Sequence, residues 1–206
     1  PFTFTGVRNF KREISAPTRQ LVGDTWYDFR RWSDGDRQRH TIRTPRRDRT
    51  YTAEFTPSGS FKVKYFNNQD LSGRPTVVRK DGNIDFFWGV GSPDPSIAAD
   101  HWSARWTKDQ FFAGGRYRFT AVVDDGVRLY VDGRLRIDQW HNSTAASHSV
   151  DIDLERGNHW IRMEYFDNTG AAIARLSFDL SPTQPRWQPG RANHGGRSWR
   201  LERSVR

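Results

Sequence analysis

Between Val127 and Ile137 the chain has little choice of conformation. Val127, Leu129 and Val131 alternate with Arg128 and Tyr130, Asp132-Gly133 supplies a pair that tolerates positive φ, and Leu135 and Ile137 resume the alternation between Arg134, Arg136 and Asp138. Apolar residues at every second position around a two-residue Asp-Gly turn predict a tight β-hairpin with one buried face. Immediately before it stands Asp124-Asp125-Gly126. Neighbouring carboxylates repel each other unless a cation, an arginine or solvent compensates. The pair is therefore either a site for a hard, oxygen-seeking ion such as calcium or a solvated acidic turn.

The same period of two recurs along the chain. Tyr117, Phe119, Ala121 and Val123 share one face, and Val150, Ile152 and Leu154 share another opposite Asp151 and Asp153. Further strands are expected at 2–4, 25–32, 50–55, 61–66, 160–166 and 172–178, with a loop-rich stretch over 67–100. No helix of convincing period appears. Many short strands without helices predict an all-β fold. We read it as two tandem antiparallel β-sandwich modules, at 1–56 and 61–181, joined by the small-residue linker 57–60. A basic, Pro- and Gly-rich extended tail over 182–206 follows.

Composition narrows the function classes. The 206 residues carry a net charge of +9, but the excess sits at both ends: residues 1–60 balance at +5, residues 61–181 at −1 and residues 182–206 at +5. A nucleic-acid reader normally shows its basic face on the folded core, so no nucleic-acid partner is expected. Only five of the 33 basic residues are lysine. Arginine forks suit carboxylates, phosphates and sulfates, so an anionic surface polymer is one expected partner, and a solubilising surface is the other reading. There is no cysteine, which excludes disulfides and thiolate metal sites. No apolar run approaches a membrane span. The chain opens on Pro1 rather than Met, which reads as a processed product, a fragment or part of something longer.

No Gly-x-Ser-x-Gly elbow, His-Glu-x-x-His helix or phosphate-cradling Gly-Lys-Ser/Thr loop occurs, and the six histidines show no helical metal spacing. Asp151, Asp153 and Glu155 have the look of a glycosidase carboxylate pair, but the solvent face of a sheet accounts for them better. Ala113-Gly114-Gly115 and Gly89-Val90-Gly91 read as turns. No catalysis is expected. Trp140-His141-Asn142, just after the hairpin, offers a flat ring with polar neighbours to a sugar, or else Trp140 is core. Asn142-Ser143-Thr144 also fits a glycosylation acceptor.

Several of these segments together carry a resemblance. Trp102–Thr107, Ala113–Phe119, Asp124–Gly133, Ile137–Trp140 and Arg162–Phe166, with the upstream 86–93, resemble the protective-antigen-type lectin-like β-sandwich shared by the anthrax toxin, yeast flocculins and bacterial glycosidases. The resemblance implies an extracellular, non-catalytic, often carbohydrate-binding module. Carried over from the flocculin branch, it makes Asp124 and Asp125 calcium ligands. Residues 14–17, 27–35, 40–45 and 50–55 resemble a bacterial immunoglobulin-like module with a Trp32-Ser33-Asp34-Gly35 turn, which lacks its opening strand and so leaves a sheet edge unpaired.

Three functions follow as expectations, all in a secreted or surface-attached bacterial protein. The first is a calcium-assisted carbohydrate or surface-glycan binding module using Asp124, Asp125, Trp140, His141 and Asn142. The second is a structural subunit of an extracellular filament or layer, with Ser198 to Val205 adding as a strand to a neighbouring copy. The third is an accessory region of a larger secreted enzyme.

Overall fold

The computed structural model describes residues 7–182. The expected strand 2–4 and the tail strand Ser198 to Val205 lie outside the described residues. Those described form only strands and loops. The N-terminal strands are β1 (Lys11–Ser15), β2 (Arg19–Val22), β3 (Thr25–Trp32), β4 (Arg39–Arg43) and β5 (Ala53–Pro57). They make two small antiparallel sheets, β1-β4 and β2-β3-β5. The remaining strands are β6 (Phe61–Phe66), β7 (Val77–Asp81), β8 (Asp85–Gly89), β9 (Trp102–Asp124), β10 (Gly126–Val131), β11 (Arg134–Gln139), β12 (Ala146–Asp167) and β13 (Ala172–Leu180).

β9 and β12 organise the larger part. They pair antiparallel along their whole length, from Trp102 opposite Asp167 to Val123 opposite Ala146. Their one half, with β7 and β6 on one side and β10 and β11 on the other, forms one layer; their other half, flanked by β13 and β8, forms the second. The ribbon turns from one layer into the other at Gly114, Gly115 and Gly157, whose φ values of 85°, 136° and 156° most side chains would not tolerate. A Cβ on Gly114 would also stand 3.2 Å from the Arg156 backbone nitrogen. These glycines bend the strands without ending them, so the expected turn at 113–115 and the expected break between 154 and 160 are both absent.

The two layers close on one aromatic core. Trp106, Tyr165, Leu129 and Met163 from one and Phe119, Ile152 and Phe178 from the other all belong to it. Trp88 of β8 meets Trp102 edge-on at 5.1 Å, and Phe112 packs on Tyr117 at 4.8 Å and on Phe178 at 5.3 Å, geometries that aromatic quadrupoles favour. Trp88 and Phe86 belong to the stretch read as loop-rich from sequence; 67–100 in fact holds β7 and β8.

The Asp132-Gly133 turn forms as expected, with φ of 52° and 75° and Val131 paired to Arg134. The buried face differs. Leu129 pairs with Ile137 but Tyr130 pairs with Leu135, so Arg136 is an extra residue and the register shifts there. This bulge turns Leu135 outward, 46% exposed, while Ile137 stays in the core.

The N-terminal block has its own small core of Ala16, Phe29 and Trp32 with Ile14, Tyr51, Ala53 and Phe55 against it, and Phe111 and Ala113 of β9 complete it. The Tyr117 hydroxyl donates to Gln38 Oε1 at 2.7 Å, and Gln38 Nε2 donates to the Ala16 carbonyl at 2.9 Å. Only Ser58-Gly59-Ser60 separate β5 from β6. Ser58 Oγ accepts from Arg19 at 3.0 Å and from the buried Lys108 amine at 2.8 Å; burial lowers that amine to about 8. Among the described residues β1 and β4 pair only with each other.

Candidate functional site

Asp124 ends β9 and Gly126 begins β10, so Asp125 alone links the end of β9, which pairs with the start of β12, to a strand that pairs with the end of β12. The link is tight because the Phe166 ring lies over Gly126: a Cβ there would stand 2.1 Å from Phe166 Cε1. The bond between Asp124 and Asp125 is cis. Asp125 is 5% exposed, and both its carboxylate oxygens are engaged: Oδ1 accepts from the Ser143 amide at 2.9 Å and Oδ2 from the Asn168 amide at 2.7 Å. It thus ties the loops before and after β12 to the end of the sandwich. Asp124 is half-buried; burial first, and the neighbouring Asp125 charge second, raise its carboxyl above the ordinary value. Its carbonyl accepts from the Tyr165 hydroxyl.

A third carboxylate joins the pair. Asp167, the last residue of β12, is fully buried, and neither of its side-chain oxygens has a hydrogen-bond donor. Burial and the charges of Asp125, Asp100 and Asp124, in that order, push its carboxyl up to about 7. An isolated buried carboxylate is costly, so this end of the fold is built for a compensating positive charge or a proton. Asp100 lies in the loop before β9 and accepts from the Gly170 amide at 3.0 Å. Oxygen-only carboxylate donors are the chemistry calcium takes. Among the described residues, however, no group of three or more His, Cys, Asp or Glu side chains is placed to hold a metal ion.

The other expected site residues sit beside this end. Trp140 is half-buried, packed edge-on against Phe166 at 4.9 Å, with the Arg128 guanidinium 4.6 Å from its ring centre. Its ring is thus already in contact with both an aromatic edge and a cation. His141 is exposed and joined to Gln139 Oε1 at 3.0 Å and the Asn142 carbonyl at 3.1 Å. Asn142 is exposed in the same loop, which the Ser143–Asp125 bonds anchor. Asp167 and Asp100 were missed from sequence. The signal available was Asp167-Asn168-Thr169-Gly170, a run of turn-forming residues closing an otherwise apolar strand.

Asp151 and Asp153 lie elsewhere, on the outer face of the other layer. Asp151 receives Arg118 at 2.7 Å, Arg116 at 3.5 Å and the Ser181 hydroxyl at 2.7 Å, which hold its carboxyl well below the usual range. That is an ion-paired solvent face, as expected. No helix of the described residues is long and apolar enough to cross a membrane.

Comparison with known proteins agrees with this architecture. Anti-sigma-I factor RsgI3 of Acetivibrio thermocellus is 42% identical over 146 residues, covering 70% of this chain and 22% of its own length. The chain thus spans under a quarter of that relative. A solved anti-sigma factor domain-containing protein is 43% identical with a TM-score of 0.57, covering 61% of this chain and 44% of its own. The PA14 sugar-binding domain from an RTX adhesin, 18% identical, shares the fold with a TM-score of 0.50 over 58% of this chain and 89% of its own. Residues 57–192, more than half of the sequence, match the PA14 domain, and with the two-layered sandwich they define, the chain belongs to the PA14 domain family.

Proposed function

We propose that this chain is a glycan-binding module of a larger extracellular bacterial protein, and that it engages sugar at the end of the sandwich where Asp124, Asp125 and Asp167 meet. The observation that carries the reading is Asp167, whose two buried oxygens have no donor and lie within the field of three carboxylates, Asp125, Asp100 and Asp124. A calcium ion bound there would supply the missing positive charge and coordination positions for sugar hydroxyls. Asp125 holds the loops in place through the Ser143 and Asn168 amides. Trp140, His141 and Asn142 border the site. The likeness to a sugar-binding PA14 domain supports the ligand class. Likeness to anti-sigma factors supports a role as the sensing part of a regulator. We read the N-terminal block as an immunoglobulin-like support that fixes the module to the rest of its protein.

The test is calorimetric titration of calcium, followed by glycan-array binding with and without chelator. Binding in the range of about 0.1–1 mM, as for extracellular modules, is expected for the native chain and absent from Asp124→Asn. Melting should rise by roughly 2–3 kcal/mol of stability at calcium about a hundredfold over Kd. No calcium heat, no melting shift and array binding unaffected by chelator would sink the calcium reading.

A further inference from the structure

The two outer faces of the sandwich use charge differently. In the layer β7-β6-β9-β12-β10-β11, Val63, Tyr65, Trp106, Met163 and Leu129 are buried. Their strand neighbours therefore point to solvent. The ladder register sets those outward residues in two rows across the strands. One row runs Asp138, Arg128, Glu164, Arg105 and Lys64. The next, two residues along each strand, runs Leu135, Tyr130, Arg162, Thr107, Lys62 and Lys80.

Within these two rows six basic side chains share the face with two acids, both already ion-paired; the next row outward, at Trp160, sets Asp109 opposite it. Asp138 pairs with Arg128 at 3.1 Å; Glu164 pairs with Arg105 at 2.8 Å and Arg162 at 3.6 Å. Among the described residues Lys62, Lys64 and Lys80 take part in no ion pair; they are three of the four lysines of residues 61–181, and the fourth, Lys108, is buried. Lys62 stands directly opposite Lys80. Like charges at facing positions of a ladder destabilise it, so folding alone gives no reason for the arrangement. Aromatic rings interleave with the charges: the Arg162 guanidinium lies 3.8 Å from the Tyr130 ring centre, and Trp160, next outward on β12, is 42% exposed. Asp132 pins Trp160 by accepting its amide at 2.9 Å.

We infer that this face is a second binding surface, whose ligand is a carboxylated polysaccharide laid flat across the strands. Open lysines supply charge to its carboxylates, and Tyr130 and Trp160 supply apolar area to its rings. The arginines of the same face already grip carboxylates, those of Glu164 and Asp138. The surface is flat, with no helix or ribbon to enter a nucleic-acid groove. It does not depend on the acidic end or on calcium.

The experiment uses the whole chain in chelator, with alginate, neutral dextran, dextran sulfate and duplex DNA as probes in affinity electrophoresis and calorimetry. Alginate should bind, and weaken about tenfold or more as salt rises from about 0.05 to 0.3 M. The variant K62A/K64A/K80A should lose about tenfold or more in alginate affinity while melting as the native chain does, and Asp124→Asn should bind alginate unchanged. The inference is overturned if neutral dextran binds as tightly as alginate, if the triple variant binds undiminished, or if Asp124→Asn abolishes binding. It is likewise overturned if dextran sulfate or DNA binds tighter than alginate. Failure of the calcium reading shows in calcium calorimetry and leaves the alginate arm untouched.

Discussion

The two outer faces of the sandwich are laid on the same pair of strands, yet one is closed on itself electrically and the other is not. On the face carrying β8 and β13, Arg116 and Arg118 meet Asp151 and Asp153, and Arg175 meets Asp85 at 3.0 Å. On the face carrying β6 and β7, Lys62, Lys64 and Lys80 form no ion pair among the described residues. The near-zero charge of residues 61–181 therefore hides a separation, with acids gathered at one end of the sandwich and uncompensated bases on one face.

Variants on the two faces and at the acidic end should differ widely in stability. The largest effect should come from Gly126→Ala, where the added methyl collides with the Phe166 ring that backs the open face; a loss of about 3 kcal/mol or more is expected in denaturant unfolding. A stable Gly126→Ala protein would mean that the Phe166 ring can move aside and that this end of the sandwich is not rigid.

Asp167→Asn should act in the opposite direction. The folded carboxyl titrates near 7, above its unfolded value, so the native chain holds a proton that the unfolded chain has lost between about pH 4 and 7. Native stability is then full below about pH 4 and falls as pH rises through 7. The amide removes that fall and should gain about 2 kcal/mol near pH 8 without calcium. Parallel pH profiles for the two proteins would show that Asp167 is already compensated.

On the closed face, Asp151→Asn should lower the melting temperature by an amount steady at neutral pH. Because Arg118, Ser181 and Arg116 depress the folded carboxyl, its contribution is present above the unfolded value near 4 and disappears as pH falls below it. The difference from the native chain should therefore shrink only in acid. The smallest stability effect, within about 0.5 kcal/mol, belongs to K62A/K64A/K80A on the open face. A destabilisation there comparable to Asp151→Asn would erase the contrast between the faces.

Much of the strand pattern was legible because burial in a sheet enforces alternation, and 117–123, 127–131 and 61–66 alternate cleanly. The lengths of β9 and β12 were not legible. Gly114, Gly115 and Gly157 look like chain breaks, and only the partner strand makes them bends inside a continuous ladder. Leu135 was misplaced because a one-residue bulge leaves no mark on an alternating sequence. At the acidic end, Asp124 and Asp125 stand out as neighbours in sequence, whereas Asp167 joins them only through the pairing of β10 with β12. The open face was hidden likewise: Lys62 and Lys80 meet Arg162 across four strands, a relation that lives in register rather than in any local motif.

The ribbon of β9 and β12 has one more consequence, for how the molecule comes apart. Both layers draw hydrogen bonds from the same two strands, and Phe111 and Ala113 at the bend belong to the N-terminal core as well. Neither layer can peel away without breaking a ladder that the other needs. Slow backbone amides on both sides of the bend, such as those of Trp106 and Phe119, should therefore exchange with solvent deuterium through a single shared opening rather than layer by layer.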